Sequence, residues 1–303
     1  MIRKPAIIVC GDIMVDHNIY TTTARIAVEA PIPIFKIQRD EYSLGGCGNV
    51  LKNLHALGCS SLHIFGSVGD DPNGRRIREA VDGMNIHSHI KTVNGATITK
   101  QRYFCDNRVV FRCDDEDDAE RYEWSCVDDI ENILKNEKID CIIMSDYNKG
   151  FLNKEHCRRI IELANRHGVF TSVDPKKDYS KYIGCSLIKP NRKEACELFH
   201  HTGGDINSLH VKIIDMIRCK YSVVTLAEKG ITLSDGTSIL HEHVPEPLNI
   251  IDVTGAGDIV CAILSYYIPL DVPIDNVLRR AAQIATHSVE CVGTYTIHPE
   301  DIV

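Results

Sequence analysis

The run Asp252-Val253-Thr254-Gly255-Ala256-Gly257-Asp258 sets two glycines and an acid at the mouth of an apolar stretch, Ile259-Val260-Cys261-Ala262-Ile263-Leu264, that continues as a helix. The backbone amides of Gly255, Ala256 and Gly257 would then point out of a helix N-terminus, where unpaired donors and the helix dipole attract anions. A carboxylate beside a bound phosphate repels it, so Asp258 suits this place if it removes a proton from a neighbouring hydroxyl. The combination points to phosphoryl transfer. Taken alone, the same residues also read as a glycine turn followed by an ordinary first-turn carboxylate.

Four further motifs carry residues of the right type. Gly11-Asp12-Ile13-Met14-Val15-Asp16 follows the first apolar run and places Asp16 at the carboxyl end of the first strand, where open α/β sheets bind ligands. Gly45-Gly46-Cys47-Gly48-Asn49 precedes a helical segment; the glycines let backbone approach a ligand, and Asn49 offers a donor and an acceptor. Lys189-Pro190-Asn191-Arg192-Lys193-Glu194 stands at a strand-to-helix junction, and Thr225-Leu226-Ala227-Glu228-Lys229-Gly230 at a strand-to-strand junction. Each motif by itself reads equally well as a turn, a cap or a surface acid.

The elements that must position these residues are legible as a rhythm. Apolar, β-branched runs at 6–10, 61–66, 141–145, 169–173, 187–189 and 222–226 alternate with helical stretches at 50–57, 74–83, 124–135, 154–167, 192–199 and 206–219. Strands without polar alternation, interleaved with helices, predict a doubly wound, mostly parallel α/β sheet covered on both faces. The whole of 1–303 is expected to form a single domain of this kind. Two segments break the rhythm. Residues 31–37 and the alternating pair 97–104 and 109–112, joined through Cys105-Asp106-Asn107-Arg108, predict a small antiparallel lid sheet inserted at about 20–40 and 95–113. The acidic run Asp114-Asp115-Glu116-Asp117-Asp118 reads as a solvated loop without chemistry.

Composition narrows the function classes. With 44% hydrophobic and 25% charged residues the chain has an ordinary globular makeup. A net charge of −8 supplies no field for nucleic acid or an anionic membrane, so an anionic ligand must be held locally. The thirteen cysteines form no CxxC pair, and the histidines, His200-His201 and His241-Glu242-His243 among them, form no HExxH motif, so neither a zinc site nor a dithiol is indicated. The apolar run near the N-terminus is too short for a signal core or a membrane span, which implies reduced thiols and a cytoplasmic protein.

In their order and spacing the motifs resemble the ribokinase/phosphofructokinase-B superfamily of carbohydrate kinases over essentially the whole chain. Within it, Arg25-Ile26-Ala27-Val28-Glu29-Ala30-Pro31-Ile32-Pro33, Thr99-Lys100-Gln101-Arg102, Ser145-Asp146-Tyr147-Asn148-Lys149-Gly150 and Asp174-Pro175-Lys176 are most similar to the kinase part of the heptose-7-phosphate kinases that supply lipopolysaccharide heptose. Members of that subgroup often carry a C-terminal nucleotidyltransferase domain, for which these 303 residues leave no room, so a kinase-only form or a fragment of a longer protein is expected. The resemblance implies a kinase that transfers the γ-phosphoryl group of ATP to D-glycero-β-D-manno-heptose 7-phosphate, giving the 1,7-bisphosphate. Asp258 would be the general base, and the Gly255, Ala256 and Gly257 amides would stabilise the transferring group. Asp16, Gly45, Gly46 and Asn49 would grip sugar hydroxyls. Asn191 and Glu194 would organise the triphosphate and its Mg2+, Glu194 through water. Thr225, Glu228 and Gly230 would lie along the nucleotide, with His287 beside the base, and Asp252 with the Thr254 carbonyl resembles a monovalent-cation site for K+. Three cations, Arg102, Lys149 and Lys176, are placed to surround a phosphate already on the acceptor.

The chain departs from the subgroup at Ala27-Val28, where Ser-Pro is usual, at Cys47-Gly48, and at Gln283, Thr286 and His287. The alternatives are a ribokinase-like or fructokinase-like kinase of an unphosphorylated sugar, and a catalytically silent sensor of sugar or nucleotide on the same fold. A nicotinamide oxidoreductase would need GxGxxG after the first strand, where Gly11 stands alone. The expected partners are ATP and a small sugar or sugar phosphate. A second copy could pair through the lid, whose strand carries Ile32, Ile34 and Ile37.

Overall fold

The computed structural model describes residues 3–106, 108–198, 204–244, 249–291 and 293–302. Asn107 of the expected hairpin, the His200-His201 pair and Phe199 at the end of an expected helix lie outside these residues. In chain order the elements begin with β1 (Ala6–Gly11), β2 (Ile13–Ile26), β3 (Pro33–Gly46), α1 (Cys47–Leu57), β4 (Ser61–Gly69), α2 (Pro72–Asp82) and β5 (His87–Val93). Next come β6 (Thr99–Cys105), β7 (Arg108–Asp115), α3 (Val127–Asn136), β8 (Cys141–Ser145), α4 (Lys154–His167), β9 (Phe170–Asp174) and β10 (Leu187–Ile188). The chain continues through α5 (Arg192–Leu198), α6 (Ile206–Ile217), β11 (Tyr221–Thr225), β12 (Ile231–Ser234), β13 (Ile239–Glu242), α7 (Ala256–Tyr267) and α8 (Ile274–Val289).

Nine strands form one sheet in the order β13-β12-β11-β10-β9-β8-β1-β4-β5. All its pairings are parallel except β11 with β12 and β12 with β13. β1 shows why its sequence lacks polar alternation. Ile7 and Val9 join the core under α1, α2, α7 and α8, whereas Ala6, Ile8 and Cys10 join the core under α3, α4 and α6. Both faces are covered, and each fully buried aliphatic side chain of this kind contributes about 1.5–3 kcal/mol. The fold is therefore the expected mostly parallel α/β sheet with helices on both faces, plus a second small sheet.

That second sheet has the order β3-β2-β6-β7, with β2 and β6 parallel and the outer pairings antiparallel. It is larger than the sequence suggested, because 13–46 and 99–115 replace the expected 20–40 and 95–113. The root of β2 hid its period: Ile13, Met14 and Val15 are buried, and so are the polar Asp16, Asn18 and Thr21. Asp16 is accordingly the fourth residue of a lid strand, not a residue at the end of β1. The sequence also passed over β5, an edge strand in which Ile90 alone is buried.

The acidic run needs correction as well. Asp114 and Asp115 close β7, Asp114 accepts a 2.6 Å bond from Arg112 Nε, and Asp117 accepts the Ala96 amide at 2.6 Å. Asp114 thus pairs within β7, and Asp117 ties the loop after β7 to the segment that leads into β6. The cysteines are all free, and no helix among the described residues is long and apolar enough to cross a membrane.

Candidate active site

Gly255 opens α7 with φ 86°, a left-handed conformation that glycine adopts without strain. A Cβ there would lie 2.7 Å from Asn49 Nδ2, so the bare backbone is what admits that side chain. No side chain caps this end of α7, which leaves its first amides available to a ligand.

Asp258 lies in the first turn of α7, 5% exposed. Asn49 Nδ2 donates to its Oδ2 at 2.8 Å, and the Tyr147 hydroxyl donates to its Oδ1 at 2.7 Å. Burial pushes the Asp258 carboxyl above the usual aspartate value; the Asn49 and Tyr147 bonds and the nearby Lys189 charge oppose that rise. Tyr147 itself is held protonated, since burial and then the charges of Asp258 and Asp174 drive its hydroxyl far above the ordinary tyrosine range. The arrangement is a carboxylate fixed through one hydrogen bond on each oxygen, with lone pairs left over for a hydroxyl.

Tyr147 is held in turn by Asp12, the residue that follows β1. Asp12 Oδ2 accepts the amides of Tyr147 at 2.8 Å and Lys149 at 3.0 Å, and Oδ1 accepts that of Phe151 at 3.2 Å. Next to it Asp146 takes the Lys181 ammonium at 2.6 Å and the hydroxyl of Tyr182. Burial and the Asp146 charge push Asp12 upward, and the three amides pull it back. Tyr147 and Asp12 stand inside motifs of the sequence without an assigned role, and an acid just past an apolar strand is the signal that points to Asp12.

A cavity of about 160 Å³ is lined by Asp258, Gly255, Gly257, Tyr147, Asp174, Lys176, Lys189, Asn191, Glu194 and Thr225. Lys189 was also missed, although it is a charge at the end of a buried strand. It is 3% exposed and pairs with Asp174 at 3.0 Å, close enough to α7 that a Cβ on Gly257 would lie 3.7 Å from its Nζ. Burial raises Asp174 to about 6, with Lys189 opposing and the Asp258 charge reinforcing the rise. Asn191 and Glu194 bond reciprocally at the start of α5, each side chain accepting the other's amide, and Glu194 also takes Lys176.

Through Asn191, Thr225 and Gly257 this cavity adjoins a cleft of about 890 Å³, whose walls include Ala256, Glu228, Gly230, Val260, Ala282 and Val289. Gly230 has φ 94°, and a Cβ there would lie 2.0 Å from the Glu242 carbonyl. The α8 face turned to the cleft is Ala282, Ala285, Thr286 and Val289, at helical spacing. His287 is off that face, exposed and set edgewise on Tyr295 at 5.3 Å, so Thr286 stands where the sequence had suggested His287.

On the lid side Asp16 is buried and accepts Arg102 Nη1 at 2.6 Å. Gly45 leaves room for that carboxylate, since a Cβ would come within 2.5 Å of Asp16 Oδ2, and Gly46 lets the chain pass the Asp12 carbonyl. Each of the three expected phosphate-binding cations has an acid for a neighbour. Arg102 is on Asp16, Lys149 pairs with Glu116 at 2.6 Å, and Lys176 sits by Glu194 in the cavity below α7. Asp252 ties its own turn to a distant loop, accepting the Thr254 amide at 2.9 Å and the Gly293 amide at 3.2 Å.

No group of three or more metal-ligating side chains occurs among the described residues. Carboxylates at Glu194 and Asp174 nevertheless fit a hard ion that arrives with phosphates, because magnesium takes one or two carboxylates and keeps its waters.

Comparison with known proteins agrees with this architecture. Residues 4–301 match the pfkB family of carbohydrate kinases. The protein named "Bifunctional protein HldE" of Campylobacter curvus is 35% identical over 98% of this chain, and that of Aliarcobacter butzleri is 34% identical over 99%. The chain spans 64% of the length of each of these relatives. Among solved structures, Escherichia coli phosphofructokinase-2 in complex with potassium superposes with a TM-score of 0.79 at 16% identity, covering 98% of this chain and 96% of that one. Arabidopsis thaliana ribokinase complexed with ribose and ATP gives 0.77 at 17% identity, covering 99% and 98%. With the family model matched over nearly its whole length, this chain belongs to the pfkB family of carbohydrate kinases.

Proposed function

We propose that the chain phosphorylates a hydroxyl of a sugar phosphate, D-glycero-β-D-manno-heptose 7-phosphate, forming the 1,7-bisphosphate and ADP. The observation that carries the chemistry is the Asp258 carboxylate, oriented by Asn49 and Tyr147 at the uncapped start of α7, where cleft and cavity adjoin. The choice of sugar rests on the subgroup motifs and on the HldE-named relatives.

In this reading the adenosine end of ATP occupies the cleft along Thr225, Glu228, Gly230 and Thr286. Asp258 accepts the proton of the sugar hydroxyl as that oxygen bonds to the γ-phosphorus and the bond to the bridging oxygen of ADP breaks. The amides at the start of α7 and Lys189 face the charge that spreads over the transferring group. Asn191 and Glu194 would hold magnesium through water. That ion, when bound, neutralises the β- and γ-phosphate oxygens. Asp16 and Asn49 position the acceptor. Asp252 and the Thr254 carbonyl form a potassium site that steadies the turn before α7. A second copy covers the apolar lid residues Ile37, Val109 and Phe111, which are exposed here.

A coupled ADP-release assay across heptose 7-phosphate, other sugar phosphates and their dephosphorylated counterparts tests this reading. It is supported by turnover of the phosphorylated acceptor in preference to the neutral one. A preference for an unphosphorylated sugar assigns the chain to the ribokinase-like alternative, and no ADP release on any sugar refutes a kinase.

A further inference from the structure

Away from the active site, Arg279 and Arg280 of α8 line a cavity of about 310 Å³ that reaches the end of α7. No residue lining it is an acid, although the chain as a whole carries a net charge of −8. Neither arginine makes an ion pair among the described residues, and the acids closest to them in sequence, Asp271 and Asp275, are exposed. Asn276 and Gln283 line the same cavity, and with Arg280 they stand at positions i, i+4 and i+7 of one helical stripe. Gln283 is one of the positions at which the chain departs from the subgroup it resembles, and the nucleotide cleft makes no use of it. Val272 and Val277 supply the apolar part of the wall.

Tyr267, the last residue of α7, completes the lining and is only 6% exposed. Arg280 Nη1 donates to its hydroxyl at 2.7 Å, and the guanidinium carbon lies 5.1 Å from the centre of its ring. A guanidinium already fixed in this way gives up little freedom when it takes a ligand. Four of its five N–H donors remain, and the Tyr267 proton goes to no acceptor among the described residues. The side chains of Asn276, Arg279 and Gln283 make no hydrogen bond there either. An oxyanion fits this set. Two guanidinium groups match a dianionic phosphate, which accepts paired N–H bonds on several oxygens, whereas a single carboxylate would leave one positive charge unmatched. The volume stands at the lower end of ligand pockets, about 300 to 1,000 Å³, which suits a phosphate on a short carbon body lying against the two valines. The cavity shares no lining residue with the nucleotide cleft or with the cavity beneath Asp258.

We propose that Arg279, Arg280, Tyr267 and Gln283 form an anion site outside the active site, which binds the phosphate monoester of a small metabolite. The site goes beyond the kinase reading above and does not depend on which sugar is the acceptor. Its ligand touches α7 at the end opposite Asp258, and α8 on a face other than the one that walls the nucleotide cleft.

Inorganic phosphate is titrated calorimetrically, near neutral pH, into the full chain saturated with magnesium and a non-hydrolysable ATP analogue, so that the nucleotide site is filled. The expected result is a phosphate site whose Kd rises about tenfold or more in Arg279→Met and in Arg280→Met. Arg158→Met, which removes an exposed arginine paired with Glu155 and Glu162, leaves it unchanged. Both test variants keep the affinity for the ATP analogue, which shows that they fold. Arg279 is exposed, so its replacement judges the site even where Arg280→Met disturbs the contact with Tyr267. A phosphate affinity indifferent to both substitutions, an equal loss in Arg158→Met, or no phosphate site in the unaltered protein overturns the proposal. Absence of ADP release on any sugar refutes the kinase reading instead, while the phosphate titration still judges the two arginines.

Discussion

The hydroxyl of Tyr147 donates to Asp258 across 2.7 Å, joining residues 111 positions apart in the chain. This bond stabilises the ionised carboxylate and so lowers the Asp258 pKa, against a burial effect that raises it. In Tyr147→Phe the opposing contribution is gone. The acid limb of the kcat/KM profile, already displaced above the usual aspartate range, is expected to move to still higher pH. A limb that stays in place or moves down would show that Tyr147 does not act on the base.

The start of α7 was legible because its chemistry is local: glycines, an acid and an apolar helix in one run. The partners of Asp258 were not, because Asn49 and Tyr147 reach it from α1 and from the loop after β8. A similar limit applied to Lys149 and Lys176. Their charge was visible, but Glu116 and Glu194, which bond them, become neighbours only when strands and loops assemble. The parallel core was readable from buried strands such as β1, whereas the first residues of β2, buried on both sides at the root of the lid, obscured its alternation. His287 was displaced by a single residue from the true cleft position, since one step along a helix turns the side chain by about 100°.

Gly255→Ala places a Cβ in a left-handed backbone and against Asn49 Nδ2. A loss of about 1–2 kcal/mol in stability is expected from the backbone alone. A fall in kcat should accompany it as Asn49 is pushed from Asp258. Denaturant melts and steady-state kinetics read the two effects separately. Unchanged kcat would mean that Asn49 does not orient the base.

His210 reports on the acid side of stability. It is buried between Ser222 and Thr232, and burial lowers its pKa from 6.5 to about 4. The folded state therefore keeps it neutral where the unfolded chain would be protonated. The stability it contributes is present above 6.5 and is lost as pH falls toward about 4. Over that window the slope from this group approaches about 1.4 kcal/mol per pH unit. Between neutral pH and the middle of the window, His210→Gln should lose less stability than the unaltered protein by about 1–2 kcal/mol in denaturant titrations. An equal loss in both proteins would contradict the assignment.

The Asp252 turn bears on cation dependence. If potassium steadies the segment before α7, turnover at matched ionic strength should be faster in potassium than in sodium or a bulky organic cation. Asp252→Ala should remove the difference. Equal rates in all three salts would exclude the site.

Asp258→Asn tests the central claim most directly, with ADP release measured at saturating Mg·ATP and sugar phosphate alongside the affinity for a non-hydrolysable ATP analogue. Asparagine keeps the size of the side chain and can still accept the Tyr147 bond, but it cannot take a proton from the acceptor. Turnover is expected to fall by about 10² to 10⁴-fold, the usual worth of a positioned base, with nucleotide binding retained. Turnover at the level of the unaltered protein would contradict the account.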